Sequence, residues 1–174
     1  MVNLPVPVPR TFSVSEIETA AYLNTIRDAL NFLLNPPFAI VTQATPQTVT
    51  SGAQPVITFD TTIIDTYGGH SNVTNNSRYT AQVAGWYQVT VTAAYAANAT
   101  ANRAVQTAKN GTIQTRGQEV LFTPTAANTA TIQATSKISL VVGDYVEAIA
   151  FQNSGGNLNT VANSSYMEVL WMHT

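Results

Sequence analysis

The sequence predicts an all-β sandwich of the jelly-roll type, preceded by an extended proline-rich strap and a single α-helix. The first observation behind this is the stretch Ser77–Val91, where apolar and polar residues alternate on either side of Ala84-Gly85. Tyr79, Ala81 and Val83 share one face, and beyond the glycine Tyr87, Val89 and Val91 share another. Period-two alternation marks a strand with one buried side. A glycine between two such runs suits a tight turn or a sheet corner. The second observation is Asn110-Gly111 between alternating runs, a strong hairpin signal. The third is the number of short strand-like runs at regular spacing, each bounded by Gly, Asn, Ser or Thr.

Taken in order, residues 2–10 alternate proline with Val or Leu, which favours an extended polyproline-like course. Pro5, Pro7 and Pro9 with their valines suit a strap lying on an apolar surface, its own or a neighbour's. Ser13 and Glu16 form a capping box, so a helix is expected from Ser13 to about Leu34. Leu23, Ile26, Leu30 and Leu33 recur at three- and four-residue steps, and Tyr22, Ala29 and Phe32 widen the stripe. Such a stripe ahead of a β-domain needs a partner, and an inter-subunit or scaffold role is favoured. Asn35-Pro36-Pro37 ends the helix, because neither proline continues the hydrogen-bond ladder.

The domain division expected is therefore 1–37 as anchor, 38–55 as linker and 56–174 as the jelly-roll knob. Strands are expected at Val56–Phe59, Thr62–Ile64, Ala104–Lys109, Thr112–Thr115, Thr129–Val142, Tyr145–Gln152 and Ser165–Met172. From Phe38 onward β signals take over: Phe38–Thr42 is a short apolar run, and a Thr/Gln/Pro/Ser/Gly stretch leads from it to Pro55.

Composition narrows the functional classes. Only 9% of the residues are charged, against about a quarter in ordinary globular chains, and Thr, Asn, Ser and Gln take their place. Such surfaces suit extracellular and virion β-proteins better than cytosolic enzymes. The net charge of −2 and the scattered Lys and Arg offer no basic field, so no nucleic-acid partner is expected. Cysteine is absent, which removes disulfides, thiolate zinc sites and cysteine nucleophiles. No stretch approaches the roughly 20 apolar residues of a bilayer span, so no membrane insertion is expected. The proline-broken start lacks a basic n-region and does not read as a signal peptide.

Phe59-Asp60, Ser77-Arg78-Tyr79, Val83-Ala-Gly-Trp-Tyr87, Lys109-Asn-Gly111, Leu140-Val-Val-Gly-Asp-Tyr-Val146 and Ser164-Ser-Tyr166 through Leu170 together resemble the complement/tumour-necrosis-factor-like globular head. The likeness covers about residues 56–172, with its landmarks in the family's order. It departs at Ala84, where proline is usual, and at Ser77 and Glu168, where glycine is common. None of these removes a core residue. The resemblance implies a ten-stranded jelly roll packed as a homotrimer around an aromatic core, and it transfers no ligand. Tyr79, Trp86, Tyr87, Tyr145, Tyr166 and Trp171 are accordingly expected in core or trimer packing. The strap and helix resemble the attachment segments of tailed-bacteriophage virion proteins.

Sites of chemistry are sparse. His70 lies in a Gly-Gly-His-Ser-Asn loop, and no strained serine elbow accompanies it, so a turn role is the better reading. Asp60, Asp65 and Asp144 are candidate calcium ligands, with tight-turn roles as the stronger alternative. No enzyme and no cofactor are expected. The candidate ligand loop carries Tyr67, His70 and Asn72, and loops 96–103 and 153–164 are further candidates.

The function expected is a bacteriophage virion structural protein, as capsid decoration, head fibre or tail-associated knob. It would assemble in the host cytoplasm and be exposed on the particle. Its partners would be further copies of itself and other virion proteins. The alternative is a tip that binds a host glycan or protein receptor.

Overall fold

The computed structural model describes residues 19–122 and 128–174. The strap with Pro5, Pro7 and Pro9 and the Ser13–Glu16 box lie outside the described residues. The helix α1 spans Ala20–Leu34. Thr19 occupies the N-cap with extended backbone (φ −105°, ψ 160°), and its hydroxyl accepts the Tyr22 N–H at 3.4 Å. Continuous helix from Ser13 is therefore corrected, because an extended Thr19 cannot carry a helical ladder through it. The C-terminal end is as expected: Asn35 N–H donates to Asn31 O at 3.0 Å, and Pro36 follows.

Among the described residues eleven strands follow: β1 Phe38–Thr42, β2 Thr48–Val49, β3 Thr61–Asp65, β4 Arg78–Thr80, β5 Gly85–Tyr95, β6 Asn102–Lys109, β7 Thr112–Phe122, β8 Ala130–Leu140, β9 Tyr145–Gln152, β10 Leu158–Asn159 and β11 Tyr166–His173. They form a five-stranded sheet β3-β1-β11-β5-β8, a four-stranded sheet β4-β9-β6-β7, and a small pair β10-β2. Every strand pairing among the described residues is antiparallel. No helix of the described residues is long and apolar enough to cross a membrane.

The stretch around Gly85 is a corner between sheets, as its alternation suggested. Residues before it (β4) pair with β9 in the smaller sheet, and residues after it (β5) run between β11 and β8 in the larger one. Gly85 has φ 149°, and a Cβ there would collide with the Trp171 indole and lie 2.6 Å from the His173 carbonyl. That close approach, as much as the corner, requires glycine.

The expected linker is corrected by the sheet. Phe38–Thr42 is β1, seated between β3 and β11, with Ala39 and Val41 buried. Its alternating Ala39 and Val41 supply the inward side of a strand, so the sheet begins at Phe38, ahead of residue 56. Conversely, Val56–Phe59 is no regular strand. Val56 makes a single bridge to Ile149, and Ile57 and Phe59 are buried beside it.

The core lies between the sheets and is led by β5. Tyr87, Val89, Val91, Ala93 and Tyr95 point inward and are fully buried. The Tyr87 hydroxyl donates to Val83 O at 2.6 Å. The Tyr95 hydroxyl donates to Ala104 O at 2.7 Å and accepts Phe151 N–H at 3.0 Å, tying the large sheet to the small one. Burial raises both phenols well above their ordinary pKa, so both remain neutral donors.

The Asn110-Gly111 hairpin forms as expected, with φ 49° and 76° suiting a type I′ turn. Farther along, β7 departs from regular pairing. Ile113 faces Ala108 and Gln118 faces Gln106, so residues 114–117 stand opposite Thr107 alone. This wide bulge curls β7 toward β8, the edge of the other sheet. At its base, Thr107 and Ser136 hydroxyls meet at 2.9 Å, and a Cβ on Gly117 would collide with Thr107 Oγ1 and sit 2.9 Å from Ser136 Cβ.

Gly117→Ala should therefore cost about 1–3 kcal/mol through overpacking, and Tyr87→Phe about 1–3 kcal/mol by leaving Val83 O without its donor. Urea unfolding of each variant checks both, and unchanged midpoints would refute the packing described.

Candidate functional site

The surfaces that could engage a partner are built on the larger sheet and the helix attached to it. Helix α1 touches the sandwich through Phe32, the only buried residue among those described in it. The Phe32 ring meets Trp171 edge-on, with centroids 4.8 Å apart, and Tyr67 at 6.4 Å. Trp171 is held in turn by its indole N–H, which donates to Ala84 O at 3.1 Å. The remaining stripe finds no cover among the described residues: Leu23 is 56% exposed, Ile26 41%, Leu30 53% and Leu33 69%. These candidate anchor residues share one side of the helix and point away from the domain's own core.

The outward face of the larger sheet mixes apolar and polar side chains through its middle. The ladders place Phe38, Leu170 and Gln88 in one row and Ile40, Glu168 and Thr90 in the next. Tyr166 lies in the following row, its hydroxyl accepting Gln133 Nε2 at 2.8 Å.

The aromatic residues expected to act together separate into groups. Tyr79 and Tyr87 are in the core, with ring centroids 6.4 Å apart. Tyr145 is half-buried on the other sheet, beneath the Arg78 guanidinium at 4.5 Å. Trp171 and Tyr166 are half-buried on the larger sheet. Trp86 is corrected as a core residue of this chain: it is 42% exposed and stacks on His173 at 6.5 Å. The alternation explains it, since Tyr87 takes the inward place and its predecessor must face out.

Trp86 stands at the mouth of a cleft of about 350 Å³ between β7 and β8. The bulge at 114–117 forms one wall, and Lys137, Ile138 and Ser139 form the other. Lys109, Arg116 and Lys137 line it, and among the described residues no carboxylate does. Neither alternation nor a motif marks this cleft in the sequence, because Trp86, Arg116 and Lys137 come from different strands.

The candidate ligand loop is occupied by its own fastenings. Both His70 ring nitrogens lie against backbone carbonyls, Nδ1 at 2.9 Å from Arg78 O and Nε2 at 3.1 Å from Phe59 O. Asn72 accepts the Thr62 hydroxyl at 2.7 Å, and Tyr67 packs on Phe32. The loops after β5 and β9 meet at the opposite end of the sandwich, where Asn102 N–H donates to Asn153 Oδ1 at 2.7 Å. There Arg103 is fully buried, donating to the carbonyls of Asn98, Thr100 and Asn102. Burial lowers its pKa from the usual arginine value.

The candidate calcium ligands stand apart, each turned to local donors. Asp60 accepts the Ala44 and Thr45 N–H groups at 2.6 and 3.0 Å. Asp65 accepts those of Tyr67, Gly68 and His70, stapling the loop that comes after it. Asp144 pairs with Lys109 Nζ at 2.7 Å and also accepts from Asn110 Nδ2 and Val141 N–H. The described residues contain no group of His, Asp or Glu that could hold a metal ion.

No protein-family model matches the chain, and no curated protein matches it in sequence. Solved structures do match it in shape. The globular domain of the zebrafish complement 1qA protein aligns with a TM-score of 0.55 at 13% identity, over 79% of this chain and 98% of that one. Murine APRIL gives 0.56 at 7% identity, over 78% and 99%. The Eiger TNF of S. frugiperda gives 0.55 at 13%, over 78% and 93%. The fold is thus the jelly-roll sandwich of the complement and tumour-necrosis-factor heads. At these identities the likeness is one of fold.

The Lys109 ammonium beside Asp144, with Asn110 and Val141 donors, holds its carboxyl below the usual aspartate range. A depressed folded-state value stabilises the fold above the unfolded value of about 3.9, and that contribution is lost as pH falls from there through the folded value. Asp144→Asn should therefore lower the melting temperature near neutral pH and narrow the difference between neutral and acid melting temperatures. An equal acid-induced drop in both proteins would show that the pair carries no such linkage.

Proposed function

We propose that this chain is a non-enzymatic structural protein of a bacteriophage virion, a homotrimeric jelly-roll head displayed on the particle. Its N-terminal segment, residues 1–37, anchors it to other virion proteins, and the sandwich faces outward. The observation that carries this reading is the apolar stripe of helix α1, left exposed among the described residues. Leu23, Ile26, Leu30 and Leu33 alternate by three and four residues, the spacing of a helix–helix seam. With Leu34, five exposed large aliphatic side chains on one helix mark an interaction surface. The helix leaves the sandwich beside Trp171, whereas the loops after β5 and β9 gather at the far end. That polarity suits anchoring at one end and display at the other. A surface kept wet by Thr, Asn and Gln suits long exposure outside a cell.

A second reading, a host-receptor or glycan-binding tip, is favoured by that loop-bearing far end. The two readings share the anchor and differ in whether the display end adsorbs to a host.

Replacing Leu23, Ile26, Leu30 and Leu33 together by serine should leave the sandwich folded, because none of them is buried in it. Incorporation of the variant into particles should fall at least tenfold, as measured by immunoblot of purified virions from complemented infections. Undiminished incorporation would overturn the anchor. A glycan array and a host-adsorption assay on the wild-type head then separate display from adhesion.

A further inference from the structure

The outward face of the smaller sheet carries a groove that the anchor leaves unused. Along β6, Asn102, Ala104 and Gln106 share that face, because alternate residues of a strand point the same way. The ladder register sets Phe151 of β9 on one side of Ala104 and Val120 of β7 on the other. Ala104 has the smallest side chain of that row, and a hollow of about 350 Å³ opens above it. Phe151, Ala104 and Val120 make an apolar floor, and Asn102 and Gln106 stand at its two ends.

The amide wall is assembled from distant pieces of chain. Gln54 comes from the segment along the far edge of β9, where Pro55 O accepts Ala150 N–H at 2.9 Å. Its side chain crosses β9 to donate to Gln106 Oε1 at 3.3 Å. Gln106 in turn donates to Gln118 Oε1 at 2.9 Å. Each amide in this series is oriented by the next. Among the described residues no charged side chain lines the groove. Asn102 also ties it to the loop-bearing end of the sandwich, through its N–H to Asn153 Oδ1.

We infer that this groove binds a neutral sugar ring of a glycan, laid flat on the Phe151–Ala104–Val120 floor with its hydroxyls against the Asn102, Gln106 and Gln54 amides. The inference rests on the reading of the display end as a glycan-binding tip, and it names the class of ligand and its place. A pyranose has an apolar face of C–H groups and a rim of hydroxyls. Such a shape matches an apolar floor bounded by a few placed polar groups, the usual make-up of a ligand pocket. An amide offers both a donor and an acceptor, which is what a hydroxyl rim requires. A sulfated or carboxylated ring finds no cation here, and covering its charge in this hollow is costly. An apolar side chain of a protein partner would fill the floor but strip water from the amides without replacing its hydrogen bonds.

The test is a glycan array probed with the full chain, carrying neutral hexose and N-acetylhexosamine oligosaccharides beside sialylated and sulfated ones. Titration calorimetry of the best-retained neutral oligosaccharide follows, with circular dichroism confirming the fold of each variant. The wild type should be retained on neutral members. Ala104→Leu, which fills the hollow from below, and Gln106→Leu, which removes the central amide, should each weaken binding at least tenfold. If the first fails to fold, the second carries the test, because Gln106 is only half-buried on the outward face. The double variant Arg116→Glu/Lys137→Glu, on the β7–β8 edge, should bind as the wild type does. Neutral glycans held equally by the groove variants, or lost with the edge variant instead, would overturn the groove and leave the glycan-binding tip standing. Retention on charged glycans alone would overturn the ligand class. Host adsorption without glycan retention would overturn the inference and leave a protein-binding tip, and absence of both would overturn the tip reading with it.

Discussion

The sandwich depends on how strand β5 divides its side chains. Tyr87, Val89, Val91, Ala93 and Tyr95 fill the space between the sheets, and Tyr87 and Tyr95 are among the largest fully buried side chains of the described residues. The tyrosines set the constraint, because a buried hydroxyl must find a partner. Tyr87 finds one in the turn before the strand, and Tyr95 finds two on the opposite sheet. Core filling and sheet-to-sheet registration are therefore achieved by the same residues. The β7–β8 edge is closed in a different way, by the Thr107–Ser136 hydroxyl pair and the bare backbone of Gly117.

The same alternation that buries one side of β5 and β11 exposes the other. Trp86, Gln88 and Thr90 on β5, and Glu168 and Leu170 on β11, face outward because their neighbours face inward. Near them Phe32 is the one buried residue of the described helix, and Leu23, Ile26, Leu30 and Leu33 stay exposed among the described residues. A helix stripe left exposed among the described residues and a cleft lined by Lys109, Arg116 and Lys137 are the surfaces this weakly charged molecule presents.

Much of the fold was legible because it rests on local rules. Asn110-Gly111 specified its hairpin, Asn35-Pro36-Pro37 stopped the helix, and Tyr145–Gln152 read as a strand with its observed bounds. Misreadings arose where local signals competed. Ser13-x-x-Glu16 has the form of a cap, yet Thr19 caps the described helix. Phe38–Thr42 carries β signals yet reads with the linker, because a run so short does not show where it pairs, and β3 and β11 flank it in the larger sheet. Val56–Phe59 has strand composition, but it meets the sheet at a single bridge. His70 sits in a loop, as its glycine neighbours imply, although its two carbonyl contacts had no sequence signature.

Sequence alone determined the features set by neighbours along the chain: the helix stripe, the inward faces, the glycine corner and the shortage of charge. Period and turn chemistry act over a few residues, so they can be read without knowing what lies opposite. Tertiary structure alone decided which residues from distant strands meet. It placed Phe32 on Trp171, Arg116 and Lys137 in one cleft, and Glu168 on the outward face of the larger sheet. Those encounters depend on strand order and on a bulge in β7, which no local period encodes. The candidate surfaces of this protein are built from such encounters, and its core is not.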